Sequence, residues 1–268
     1  MKVQTEVRSA ERGVVIITPP LLGTTNMEID EALLAGATPD SPLVLRIYRW
    51  KEPTLSLGHF QSVEDRYEEQ GLGNVALVRR KTGGGAILHD YELTYSLIMP
   101  ARSAAEKGHS EKLYRSVHSA IAKGLQSLGW DAVLSETCTC STATNPKQEP
   151  FLCFSRRSPV DLIVGQYKIV GSAQRRTKLG LLQHGSLLLR SSTLTPSLKG
   201  LLDMPNSNQA NLEERSRSVG IHQTQDEIEF WTKQLVLWLQ SGVSQVVECG
   251  WQPAALADFL TLKGMKAY

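Results

Sequence analysis

Between Ser110 and Gly129 the apolar residues Leu113, Val117, Ile121, Leu125 and Leu128 recur at the spacing of one helical face. Ser110 is placed to cap the start of that helix and Gly129 to close its end. The same periodicity over residues 226–240 turns Ile228, Trp231, Leu235 and Trp238 inward. Residues 26–35 form a further predicted helix, with Glu28, Asp30 and Glu31 in the early turns, where the helix dipole favours acids. Pro253 is placed to open a last helix through Leu262. Alternation marks the strands. Leu43, Leu45 and Ile47 share a face over 43–50, and Leu93, Tyr95, Leu97 and Met99 share one over 93–99. Residues 54–57 and 75–80 are shorter β-rich runs. Segments 161–164 and 167–170 flank Gly165-Gln166, a two-residue hairpin tip in which glycine supplies the positive φ. A turn at 178–180 leads into a strand over 181–189. Residues 135–150 are polar, and such a stretch reads as a mobile loop.

The order is helix, strand cluster, helix, strand cluster, helices. It predicts an α+β fold, a mixed and largely antiparallel β-sheet flanked by helices. No repeat or linker divides residues 1–268, which read as one domain with a motif core over about 24–190 and C-terminal helices over 226–262. With 41% hydrophobic and 21% charged residues, disorder and coiled coil are excluded. A net charge of +2 asks for neither nucleic acid nor an acidic membrane, so any basic patch is local. Four cysteines, Cys138, Cys140, Cys153 and Cys249, are too few for a disulfide scaffold. The N-terminus does not read as a signal peptide, and no apolar run is long enough to span a bilayer. A cytoplasmic protein is expected.

The densest chemical signal is the segment from Arg79 to Asp90, Arg-Arg-Lys-Thr-Gly-Gly-Gly-Ala-Ile-Leu-His-Asp. Glycines in series let the backbone approach a ligand where a Cβ would clash, and their N–H groups can turn inward as a nest. It is no P-loop, since the chain contains no Gly-Lys dipeptide, and no dinucleotide fingerprint, since Leu88 follows where glycine is required. HExxH, CxxC and GxSxG are absent, and Cys138-Thr-Cys140 lacks the spacing of a zinc site, so no metal is expected. A second cluster runs from Asp161 through Lys168 to Gly171-Ser172-Ala173-Gln174-Arg175-Arg176, its small residues leaving room for a ligand. Gln183-His184-Gly185 is a third. A lone strand lysine is usually solvated and a lone histidine usually structural.

Taken together, these strings resemble the biotin/lipoate protein ligase family. Arg80 to Asp90 matches its RxTGGGxxxHD signature, Lys168 to Gln174 its lysine motif, and Gln183-His-Gly185 its third motif. Asn26-Met27 with Asp30 to Leu33, and Trp50, Pro53, Leu57-Gly58 and Gln61, also match, in the right order. The resemblance implies an α+β catalytic domain related to class II aminoacyl-tRNA synthetases. It implies an acyl channel lined by Gly83, Gly84 and Gly85, with Thr82 beside them and Arg79 and His89 shaping its mouth. Gly171, Ser172 and Ala173 would flank the chain on the other side, with His184 at the site.

The family holds both ATP-using ligases, which must activate a free carboxylate as an adenylate, and transferases, which start from a thioester and need only a nucleophile. Cys153, followed by Arg156-Arg157, resembles the cysteine of octanoyltransferases that look like lipoate ligases, where a lysine follows at the interval from Cys153 to Lys168. A neighbouring ammonium favours a thiolate and can also donate to the oxygen of a reacting carbonyl. The expected reaction is octanoyl transfer through a Cys153 thioester to a lipoyl-domain lysine in lipoate assembly, with Lys168 or the departing thiolate taking the amine proton. The expected donor is octanoyl on the phosphopantetheine of acyl carrier protein. The acceptors are lipoyl domains of 2-oxoacid dehydrogenases or the glycine-cleavage H protein, and no cofactor is needed. An ATP- and magnesium-dependent lipoate–protein ligase is the alternative, with a biotin ligase or a non-catalytic carrier-binding module further off. Arg79, Arg80, Lys81, Arg156, Arg157, Arg175, Arg176 and Lys178 would meet these acidic partners. Little chain follows the two last helices, which leaves scant room for the accessory domain many bacterial ligases carry.

Overall fold

The computed structural model describes residues 11–68, 71–104, 108–137, 150–206 and 224–257. The chain runs β1 (Glu11–Ile17), α1 (Gly23–Ala35), β2 (Leu43–Tyr48), β3 (Thr54–Leu57), β4 (Ala76–Arg79), β5 (Ile87–His89), β6 (Glu92–Pro100), α2 (Ala101–Ala104), α3 (His109–Ser127), β7 (Ala132–Leu134), β8 (Leu162–Val164), β9 (Tyr167–Arg176), β10 (Gly180–Leu188), α4 (Gln225–Ser244) and β11 (Cys249–Pro253). An eight-stranded sheet has the order β11-β1-β2-β6-β10-β9-β8-β7, and β4-β3-β5 form a separate three-stranded sheet. β1 pairs parallel with both β11 and β2, whereas every pairing from β2 across to β7 is antiparallel. The sheet is mixed and largely antiparallel, as the patterning predicts. The split of β3, β4 and β5 into a second sheet is a finding of the structure.

Both faces of the central strands are covered, so β2, β6 and β10 are buried at every position. Leu43, Leu45 and Ile47 join Leu113, Val117 and Ile121 of α3 and Trp231, Leu235 and Leu239 of α4 in one apolar cluster. Val44, Ile98 and Leu182, on the opposite pleat, pack against Ile29, Leu33 and Leu34 of α1. α3 and α4 meet closely because Gly124 has no side chain, since a Cβ there would lie 2.1 Å from Trp238 Cε2. The small sheet has its own core of Leu55, Leu57, Leu72, Ala86, Leu88 and Leu152.

Several elements depart from expectation. α1 starts three residues earlier, at Gly23, and Asp30 serves no dipole: it is buried against Arg46 at 2.8 Å. α3 starts at His109 after Gly108 in the left-handed region (φ 87°), so Ser110 lies inside the first turn and caps nothing. Pro253 ends β11, and the helical turn that follows starts at Leu256; the remainder of the helix expected through Leu262 falls outside the described residues. Of the loop expected over 135–150, Ser135–Thr137 form a 3-10 turn, while Cys138 and Cys140 lie outside the described residues. Gly165 does take the positive φ of the hairpin tip, at 56°. Among the described residues no helix is long and apolar enough to cross a membrane.

Candidate active site

Two local structures bring Cys153 and Lys168 together. Cys153 opens a one-turn 3-10 segment, Cys153–Ser155, directly after a parallel bridge between Ala86 and Leu152. Ala86 N donates to the Phe151 carbonyl (2.9 Å) and Cys153 N to the Ala86 carbonyl (2.7 Å), so the Cys153 turn is stitched to the end of the glycine segment. Lys168 is the second residue of β9, opposite Ile163 of β8, beside a register shift at Leu162/Ile163. The shift places Lys168 alongside Gly171, where a Cβ would come 2.6 Å from Lys168 Cε. Lys168 Nζ then lies 2.9 Å from Asp161 Oδ2, 3.2 Å from the Cys153 carbonyl oxygen and 3.6 Å from Cys153 Sγ. An ammonium has three protons to donate and no lone pair, and all three find a partner here. Lys168 is only 5% exposed, and a lysine so deep requires a paired charge. Asp161 supplies it, while also accepting from Ser158 N at 2.7 Å.

Cys153 faces a cleft of about 440 Å³, mouth included, walled by Gly83, Gly84, Ile87, Gly171, Ser172, Ala173 and His184, with Met27, Tyr48 and Trp50 among the residues that complete it. Gly84 takes φ 91°, and a Cβ on Gly58 would meet the Gly84 carbonyl oxygen at 2.0 Å, so two glycines cross at van der Waals limits. Gly85 does not line the cleft. A Cβ there would strike Arg156 Nε at 2.7 Å and Cys153 Cα at 3.0 Å, so its bare backbone lets the Cys153 turn approach.

The other residues picked out in the sequence occupy different places. Arg79 is not at the mouth: its guanidinium donates to the carbonyls of Gly58 (3.0 Å), His59 (3.2 Å) and Gln61 (2.6 Å) and pins that loop. Arg80 is buried rather than presented to a partner. It donates to the carbonyls of Gly83 (2.8 Å), Gly85 (2.6 Å) and Ser56 (2.9 Å) and so sets the shape of the glycine segment. Burial draws its guanidinium down to about 10, partly offset by Cys153, which leaves it charged at neutral pH. His89 lines the cleft from below, stacked on Trp50 with ring centroids 3.8 Å apart. Burial lowers its pKa against the pull of Glu92, so the neutral ring donates through Nδ1 to Glu92 Oε1 (2.6 Å) and accepts at Nε2 from Ser56 Oγ (2.7 Å). Thr82 is buried behind the cleft, its hydroxyl 2.6 Å from His184 Nε2. His184 Nδ1 stands 3.7 Å from Asp30 Oδ2. Burial resists ionisation of Asp30, but His184 and Arg46 outweigh it and hold the carboxyl below its usual range.

Two polar neighbours of the site are assigned no role by the sequence, although Asp161 opens the second cluster. Asp161 is one, and its signal was the hairpin register, which brings the residues before the tip alongside Lys168. His118 is the other. Its Nδ1 lies 2.6 Å from the Val160 carbonyl, which can only accept, so Nε2 is the acceptor for Ser172 Oγ at 2.6 Å. Tyr95 OH approaches the same hydroxyl at 2.5 Å. Burial pushes His118 down to about 4, against the Val160 carbonyl and with help from the Lys168 charge. Because this pKa is depressed in the fold, the unfolded chain gains a proton below the ordinary value of 6.5 while the folded chain stays neutral to about 4. Stability is therefore expected to fall by about 3 kcal/mol between pH 7 and pH 4 from this group. Urea unfolding of wild type and His118→Gln at both pH values checks it: the variant should lack that part of the decline, and an equal decline in both would exclude His118 as its source.

The fold is that of the lipoate–protein ligases. A bipartite lipoate protein ligase from the archaeon Thermoplasma acidophilum superposes with TM-score 0.56 at 21% identity, over 94% of this chain and 93% of that one. Lipoate-protein ligase A bound with ATP superposes at 0.59 and 21% identity, over 95% of each chain. The chain belongs to the lipoyl protein ligase A/B catalytic domain family, whose model matches residues 23–228. Among individual proteins it is similar to octanoyltransferase LipM of Lysinibacillus sphaericus, 40% identical over 171 residues, and of Bacillus subtilis, 39% over 170. The matched segment is 61% of this chain and spans 61% and 60% of the length of those relatives.

Proposed function

We propose that this protein is an octanoyltransferase of lipoate assembly, which takes octanoyl from acyl carrier protein as a thioester on Cys153 and passes it to a lysine of a lipoyl domain. The observation that carries the reading is the 3.6 Å contact of Lys168 Nζ with Cys153 Sγ at the wall of a glycine-lined cleft. The octanoyltransferase relatives at about 40% identity support it. An acyl-adenylate route would leave that contact without a purpose.

In the first step the Cys153 thiolate attacks the donor's carbonyl carbon, the carbon–sulfur bond to the donor breaks, and the pantetheine sulfur leaves as a thiolate that takes from solvent the proton Cys153 gave up on ionising. The 3.2 Å bond from Lys168 to the Cys153 carbonyl is the longest of its oxygen contacts and the easiest to redirect to the developing oxyanion. In the second step the acceptor's neutral ε-amine attacks the acyl-Cys153 carbonyl, an amide forms and the Cys153 sulfur departs. With Lys168 Nζ engaged by Asp161 and turned to the reacting oxygen, the departing sulfur is the group that receives the amine proton. Neither step needs ATP, a metal or another cofactor. Acceptors are lipoyl domains of 2-oxoacid dehydrogenases or the glycine-cleavage H protein; the T. acidophilum ligase is described with an E2 lipoyl domain. Such chemistry belongs in the cytoplasm. Acidic partners would meet Lys81, Arg156, Arg175, Arg176 and Lys178, with the buried Arg80 removed from that surface.

Intact-protein mass after incubation with octanoyl-acyl carrier protein, without ATP, tests the reading. One octanoyl adduct, mapped to the peptide containing Cys153, is the expected result. No adduct, with lipoyl transfer appearing only when ATP is supplied, would move the protein to the ligases.

A further inference from the structure

A second cleft, of about 500 Å³ with its mouth, lies on the other side of the nucleophile turn. Cys153 lines the acyl cleft, while Phe154, Ser155 and Lys168 line this one with Arg157, Tyr167 and Lys199. Its charge is one-sided. Lys168 is neutralised by Asp161, but Arg157 and Lys199 have no carboxylate partner among the described residues. Arg157 Nη2 donates to the Gln166 carbonyl, whereas its Nη1 is buried with no hydrogen-bond partner. A guanidinium nitrogen left unmatched at the edge of a cationic cleft has a hydrogen bond to offer an anion bound there.

The reaction says which anion. With the acyl chain in the first cleft and its carbonyl at Cys153 Sγ, the donor's sulfur and everything attached to it must leave on the other side. We infer that the second cleft holds the phosphorylated pantetheine arm of the thioester donor, with Arg157 and Lys199 receiving its phosphate. This rests on the thioester-transfer reading of Cys153. The amides of the arm find hydroxyls at Ser155 and Tyr167, and the phosphate finds the two unpaired cations. A carrier protein and coenzyme A present the same arm, so phosphopantetheine is the recognised chemistry.

Octanoyl-pantetheine and octanoyl-phosphopantetheine differ only in the phosphate. Rates of Cys153 acylation by each, read by intact mass, give a preference ratio in which any inactive fraction of a preparation cancels. Wild type should prefer the phosphorylated thioester. Arg157→Ala and Lys199→Ala should each lower that ratio about tenfold, and Lys199→Glu should lower it further. Octanoyl-coenzyme A should suffer as the carrier-bound donor does. A loss confined to the carrier-bound donor would overturn the proposal and assign the two cations to the carrier's surface. No preference in wild type, or a ratio unmoved in every variant, would also overturn it and leave transfer through Cys153 standing. Failure of both small thioesters while the carrier-bound donor acylates Cys153 would overturn this proposal alone; failure of the carrier-bound donor as well would bring down the transfer reading, and this one with it.

Discussion

Cys153→Ala should form no acyl-enzyme and lose on the order of 10⁴-fold or more in octanoyl transfer, the scale on which covalent catalysts depend on their nucleophile. The fold should not follow the activity. What anchors the turn is backbone, Cys153 N on the Ala86 carbonyl and Arg156 N on the Cys153 carbonyl, and neither bond involves the sulfur. Cys153→Ser should be nearly as inactive. A hydroxyl is far harder to ionise than a thiol, so a neighbouring ammonium does not generate the nucleophile from it. Octanoyl transfer to a purified lipoyl domain, with urea unfolding run in parallel, separates the two effects. An alanine variant retaining a tenth of wild-type turnover would end the thioester mechanism.

Asp30→Ala should cost about 3–5 kcal/mol of stability, the penalty for stranding a buried charge. Arg46 is fully buried and donates to Asp30 Oδ1 (2.8 Å), Asn26 Oδ1 (2.6 Å) and Thr18 Oγ1 (3.2 Å). Tyr48 OH and Ser96 Oγ add bonds to the same carboxylate at 2.9 and 2.7 Å. Removing Asp30 leaves the guanidinium without its counter-charge and two hydroxyls without their acceptor in a site that water does not reach. The damage should extend to the cleft, because Asp30 also faces His184, which holds Thr82 at the head of the glycine segment. Denaturant unfolding measures the loss, and a change below 1 kcal/mol would mean the pair is not the keystone of this face. Since the Asp30 pKa is held down in the fold, its contribution is present at neutral pH and is lost as pH falls through that lowered value.

The parts of the fold that could be read from sequence are those where burial is one-sided or periodic. α3, α4 and the hairpin at Gly165 announce themselves because one stripe of each helix, or one glycine, has a fixed job. β5, β7 and β11 are short or lie at a sheet edge, where few residues are buried and periodicity has little to act on. α1 hid its charge logic: an acid near a helix start usually serves the dipole, and only the tertiary position of Arg46 turns Asp30 into half of a buried pair. At the site, Cys153 and Lys168 were legible through motif and interval, whereas His118 was invisible, since a histidine on a helix gives no sign of the strand serine it will meet. The arginines show the limit of the basic-patch argument. Arg79 and Arg80 are adjacent in sequence, yet both are spent on backbone carbonyls, one at a loop and one under the glycines.

On the proposed octanoyltransferase reading, the Ala86–Leu152 bridge bears on any attempt to retailor the cleft for other acyl groups. It ties the sulfur to the glycine wall, and that wall is itself locked to the 58–61 loop by the contact of Gly58 with Gly84. A substitution meant to widen the cleft on this side would shift Cys153 along with the wall, and on the same reading would trade chain-length tolerance against reactivity. Redesign has more freedom at Met27 and Ile87, whose side chains border the channel without carrying the sulfur's supports. On the same reading, variants there should change the length of acyl chain admitted while Cys153 keeps its place beside Lys168.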